Sequence, residues 1–258
     1  LMKGVGLLRF VIEVLPWLTP FMQPLHGWVT GLTYSKMQRP AGRPGELLMS
    51  IAKWITWELE EIQAGNAEGS PMTYPIRARG TGGSDAKATS VYARIGGWWA
   101  QMPDMPKHQV HWFSIEITEK RFPWAFNQGN PQRRIAALEM LGTVFLVRLA
   151  AWHRAQRNID ITVRGITDSE CNTYALLRSY SAKMPGAAVH MELMTMARHF
   201  GIWPRISHRK RAENVWADAL TEAKFEGFSG SLRWAPELHD KFFFFLDKCD
   251  ALARGAAV

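Results

Sequence analysis

The chain has 258 residues, 47% hydrophobic and 21% charged, with 12 Trp and 13 Phe. That excludes a disordered or low-complexity chain and supplies a core for one large domain, or for one domain with a smaller appendage. Lys and Arg number 31 against 23 Asp and Glu, giving a net charge of +8 and a pI near 9.7, a balance that favours a polyanionic partner. Cys171 and Cys249 are the only cysteines, which excludes a disulfide framework or a cysteine-based zinc site and suits a reducing compartment, nucleus or cytoplasm alike.

The most apolar early run, GVGLLRFVIEVLPWL, is broken by Arg9, Glu13 and Pro16, well short of the roughly 20 residues that a membrane span needs. A soluble chain without a membrane partner is therefore expected. The first residue is Leu1 rather than a start Met, so a piece of a longer protein is expected too.

Residues 1–63 read as helical. Leu7, Leu8, Val11, Ile12 and Leu15 share one face before Pro16 stops the run. Pro44 suits a first helical position, and Leu47, Leu48, Ile51, Ala52, Ile55, Leu59 and Ile62 then recur at helical spacing. QAGNAEGSP (63–71) is small, polar and closed by a proline. It reads as a linker between a small helical segment, 1–70, and a second domain, 71–258.

Beyond it the texture is that of short strands: YPIRARG, SVYARIGGWWAQ and HQVHWFSIEIT are rich in β-branched and aromatic residues. A helix is predicted over 131–152, a strand over 159–166, and helices near 171–178 and 187–200. GIWPRISH gives a last short strand, NVWADALTE a helix, and Pro236 opens a final helix through Phe242, Phe245, Leu246 and Cys249. Three strands feeding into strand–helix alternation imply an α/β fold, a mixed sheet with helices on its faces.

Four carboxylates fall at the edges of these elements. Asp85 follows the first strand in GGSDAKA, Glu139 lies in the apolar context RIAALEML, Asp168 ends the fourth strand in ITDSECN, and Asp218 lies in ENVWADAL. Taken singly, each reads as a cap, a turn or a surface charge. Asp168 at a strand tip is either a turn starter or a metal ligand held over the sheet's edge.

As a set in this order, the stretches SDAKA…IGGWW, RRIAALEML, ITDSECN and NVWADALT make the chain resemble the ribonuclease H domain. More narrowly, it resembles the ribonuclease H region at the carboxyl end of retroelement, retrotransposon-type reverse transcriptases. Asn214 and His208 stand four and ten residues before Asp218, where that family often has Asn and His. The amino-terminal segment looks like the thumb or connection region that follows the polymerase palm, and no Tyr-x-Asp-Asp-type palm motif is present.

The resemblance implies a ribonuclease H-like five-stranded mixed sheet and an endonuclease that hydrolyses the RNA strand of RNA–DNA hybrids. Asp85, Glu139, Asp168 and Asp218 would bind two Mg²⁺, with Mn²⁺ as a substitute. The polymerase portion of the same parent polyprotein would be the partner. The chemistry has its own logic, because hard cations prefer converging carboxylates and two of them activate water and neutralise a leaving oxygen.

His208, in SHRKRAEN, has two readings: a proton carrier, or one more member of a phosphate-contacting patch. Arg133, Arg134, Arg205, Arg209, Lys210 and Arg211, with Ser169, Asn172 and Asn214, are the candidate nucleic-acid contacts. Contacts of that kind read backbone shape and 2′-hydroxyls rather than base sequence. Glu192, in VHMELMTMA, is a rival to Glu139 but reads better as a helix-surface charge. His108 and His111 fall on opposite faces of a strand and read as structural.

Overall fold

The computed structural model describes residues 2–34, 46–65, 77–126, 129–153, 161–178, 184–236, 242, 243, 245 and 246. Five segments are strands: β1 (Arg77–Ala88), β2 (Ala93–Ala100), β3 (His111–Ile117), β4 (Ile161–Thr167) and β5 (Ile202–His208). They form one sheet in the order β3-β2-β1-β4-β5. β1, β2 and β3 are antiparallel neighbours, while β4 runs parallel to β1 and β5 parallel to β4. Pro204 is tolerated in β5 because that strand is at the sheet's edge, where a missing N–H breaks no ladder.

After the short helix α4 (Pro123–Phe126), α5 (Ile135–His153) carries the chain from β3 across to β4, and α7 (Gly186–Phe200) connects onward to β5. The two helices pack against each other over one face of the sheet. α8 (Val215–Thr221) covers β1, β2 and β3 on the other face. This is the ribonuclease H-like α/β architecture that the sequence predicts.

α5 is long and apolar enough to cross a membrane by composition alone, yet Leu138, Leu141, Val144, Phe145, Leu146 and Leu149 are all fully buried. Its all-round apolarity is that of a helix enclosed by protein.

β1 differs from expectation. The sequence suggests a strand ending near residue 80 with Asp85 beyond it, whereas the strand runs through GTGGSDAKA and holds Asp85 within its ladder. Its glycines lie where neighbours press closest. A Cβ at Gly82 would meet the Trp98 carbonyl oxygen at 2.6 Å and Leu146 Cδ1 at 2.8 Å. Gly80, at φ +83°, sits in the register shift between Ala78 and Thr81, a conformation that favours glycine.

The amino-terminal residues are helical as expected: α1 (Met2–Val14), α2 (Thr19–Tyr34) and α3 (Glu46–Gln63). They share one hydrophobic core with the sheet domain. The rings of Trp17 and Trp203 lie 6.2 Å apart, and Phe245 stands edge-on to Phe21 and Trp54. Most of the linker (66–71) lies outside the described residues, as does the final helix predicted from Pro236, apart from Pro236 itself and four residues further on. Those four, Phe242, Phe243, Phe245 and Leu246, are buried.

Glu192 is not the surface charge its helical setting suggests. It is fully buried on α7 and accepts hydrogen bonds from the backbone N–H groups of Phe245 (2.6 Å) and Leu246 (3.3 Å). That places it in the packing of the carboxyl-terminal segment rather than at the acidic site.

Candidate metal centre

The ladder places Asp85 of β1 directly opposite Gly96 of β2. Glu139 projects from the second turn of α5, and Asp168 follows β4 immediately. Each of the three offers a carboxylate oxygen within 4.8 Å of the other two.

The sequence around Asp168 builds its own support. Ser169 N-caps α6 (Glu170–Leu177), its hydroxyl accepting from the Asn172 N–H at 3.4 Å. The Ser169 N–H in turn donates to Thr167 Oγ1 at 3.2 Å. Asn172 Nδ2 donates to the Ala136 carbonyl at 3.0 Å and to Glu139 Oε2 at 3.3 Å, and the Ser169 hydroxyl also donates to Glu139. From the other face, buried Asn214 donates from Nδ2 to the Ser84 carbonyl at 3.2 Å, fixing the peptide that leads into Asp85.

Ser169, Asn172 and Asn214 are 8%, 4% and 2% exposed, and each side chain has a hydrogen-bond partner inside the fold. An N-cap serine followed three residues later by Asn was the sequence signal available for this role.

The carboxylates of the cluster raise one another, and the Arg211 charge opposes them at Glu139. Burial pushes the Asp85 carboxyl up to about 7; the Asp168 charge adds to the rise, the Ala86 N–H opposes it, and Asp218 and Glu139 contribute further. Burial also raises Glu139, with the Ser169 hydrogen bond opposing and Asp168 reinforcing. Asp85 Oδ2 and Asp168 Oδ1 are buried without a hydrogen-bond partner among the described residues. Buried, unpartnered oxygens on converging carboxylates are chemically suited to a hard divalent cation. Asp85, Glu139 and Asp168 are the residues that would hold it.

Asp218 lies apart from those three. Its Oδ1 accepts from Arg211 Nε (3.1 Å) and Nη2 (2.7 Å), although its charge is close enough to be felt at Asp85. Arg211 is therefore spent on a carboxylate here rather than standing free.

His208 is exposed and ends β5, opposite Thr167 in the ladder. It is thus a strand-end residue rather than part of the following loop, because the β4–β5 pairing persists to the end of β4. Arg133 and Arg134 form the 3-10 turn that leads into α5, Arg133 exposed and Arg134 half-buried. Arg205, Arg209 and Lys210 are exposed on and after β5, with Arg209 ion-paired to Glu213 at 3.2 Å. His111 opens β3 and stacks on His153 at 3.2 Å, while His108 sits in a separate 3-10 turn; both lie outside the cluster.

No protein-family model matches the chain, and no curated protein matches it. Several solved structures are similar. Ribonuclease H1 from the halophilic archaeon Halobacterium salinarum NRC-1 is 19% identical over 58% of this chain and 98% of its own, with a TM-score of 0.40. LC11-RNase H1, isolated from compost and solved in complex with an RNA/DNA hybrid, is 16% identical over 56% of this chain and 95% of its own, with a TM-score of 0.41. The prototype foamy virus protease-reverse transcriptase is 15% identical over 62% of this chain and 22% of its own, with a TM-score of 0.38. At such identities and scores the metal centre rests on its own geometry.

Proposed function

We propose that this chain is a divalent-metal-dependent endonuclease that hydrolyses the RNA strand of RNA–DNA hybrids, as the carboxyl-terminal part of a retrotransposon-type reverse transcriptase. The observation that carries this reading is the convergence of Asp85, Glu139 and Asp168, each with a carboxylate oxygen within 4.8 Å of the others, while Asp85 and Asp168 each also bury an oxygen without a hydrogen-bond partner among the described residues. Two Mg²⁺ ions, or Mn²⁺ in their place, would supply an activated water and neutralise the leaving oxygen there.

The chain's own groups do the rest. Ser169 and Asn172 hold Glu139 in one orientation, and Asn214 holds the backbone beside Asp85. Asp218 completes the acidic set on leaving Arg211. His208, next to the end of β4, carries protons to and from bulk water. Arg133, Arg134, Arg205, Arg209 and Lys210 take the phosphate backbones, reading hybrid shape and 2′-hydroxyls rather than bases. The polymerase portion of the same parent polyprotein is the partner that delivers the hybrid.

The test is a labelled RNA–DNA hybrid incubated with the purified chain in Mg²⁺, beside Asp168→Asn. Cutting of the RNA strand alone, lost in the variant, is the expected result. Tight hybrid binding without cutting in either Mg²⁺ or Mn²⁺ overturns the nuclease reading and leaves a nucleic-acid tether.

A further inference from the structure

The sheet face opposite α5 carries a second feature. A Cβ at Gly165 would lie 3.4 Å from Leu146 of α5, so residue 165 faces that helix and Arg164 faces away. On the far side α8 covers β1, β2 and β3. Across β1, β4 and β5 the register sets Thr81, Arg164 and Arg205 side by side in one row. Both arginines are exposed, and neither is ion-paired among the described residues.

Like charges side by side on neighbouring strands cost stability. The next row on the same face is Gly83, Ile166 and Ser207, small or neutral, and it leads to Asp85 and Asp168. Arg164 is four residues before Asp168, about 13 Å along the strand at roughly 3.3 Å per residue. That is about four steps of a nucleic-acid strand at roughly 3.4 Å each.

We propose that Arg164 and Arg205 together form an anion-binding pair that grips the phosphodiester backbone of the nucleic acid cut at the carboxylate cluster, a few nucleotides from the cut. The inference rests on the nuclease reading and adds a subsite to it. Ile166, half-buried, and Ser207, exposed, are neutral and leave a path for a strand between the pair and the cluster, and the two guanidiniums relieve their mutual repulsion by sharing one phosphate or taking adjacent ones.

The test measures affinity for a fluorescent RNA–DNA hybrid against salt concentration, without divalent metal so that nothing is cut. The parent chain is compared with Arg164→Ala, Arg205→Ala and the double variant. Each single substitution should make the slope of log K against log salt shallower by about 0.9, and the double by about twice that. Thermal stability should hold or rise, since a repulsive pair is removed.

Unchanged slopes in variants that still cut hybrid overturn the pair and leave the nuclease reading standing. A parent chain that neither binds nor cuts hybrid overturns both. Slopes that change for an acidic polypeptide but not for hybrid would make the face a protein contact and overturn the proposal.

Discussion

Gly96→Ala tests how the two faces of the sheet are coupled to the acidic site. Gly96 is the ladder partner of Asp85, and α8 rests directly on it. An added Cβ would lie 2.6 Å from Leu220 Cβ and 2.8 Å from both Leu220 C and Thr221 N. Ordinary contact begins at 3.4 Å, so α8 must lift by about 0.8 Å, and helix backbone cannot rotate out of the way as a side chain does.

Overpacking of this kind costs about 1–3 kcal/mol. For a chain of this size that lowers Tm by about 2–4 °C per kcal/mol. Asp218 rides on the same helix two residues earlier, and a displacement approaching 1 Å at a catalytic group costs up to about 10²-fold in rate. The assay pairs a thermal melt with hybrid cleavage, using Gly230→Ala as control because a Cβ there meets nothing within 4 Å. A Gly96→Ala protein that melts with the parent would refute the seating of α8. One that melts early but cuts normally would show that Asp218 takes no part in the chemistry.

Three further outcomes are expected. Mg²⁺ or Mn²⁺ at a hundred times its Kd should stabilise the parent by about 2.7 kcal/mol, visible as a raised Tm, and Asp168→Asn should lose that increment. Asn214→Ala should cost about 1–3 kcal/mol in urea denaturation by orphaning the Ser84 carbonyl, and should slow hybrid cleavage because Asp85 follows that peptide. His190 is fully buried, and burial pushes its imidazole down to about 4. The folded state therefore resists a proton that the unfolded chain accepts near 6.5, so stability is lost as pH falls from about 6.5 to about 4, by about 3 kcal/mol. His190→Leu should remove that contribution, leaving a shallower fall than the parent's in denaturation curves collected across the window.

The order of elements and the four acids were legible because local signals carry them: alternation and aromatic content for strands, helical spacing for α3 and α5, and carboxylates where apolar residues are the norm. The glycine-rich half of β1 was not. Glycine has low strand propensity, and what favours it here is the approach of Leu146 and Trp98, which sequence neighbours do not announce. The internal partners of Asn172 and Asn214 were not legible for a related reason. A polar side chain near a proposed site looks the same on paper whether it faces substrate or a buried carbonyl thirty-six or more residues away. Glu192 carried the same apolar-context signal that singled out Glu139, and in both cases the context meant burial with a purpose.

The Phe245 region bears on how the chain would behave if divided. Its ring is wedged between Phe21 and Trp54 of the amino-terminal helices, and its backbone is tied to Glu192 of α7. Trp203 of β5 likewise keeps company with Trp17. A fragment severed near residue 70 would turn those contacts into a wet aromatic wall beside a carboxylate, a surface prone to self-association. The helices and the sheet are thus expected to melt in one cooperative step, and the acidic cluster to be lost with them, however far from it the first break occurs.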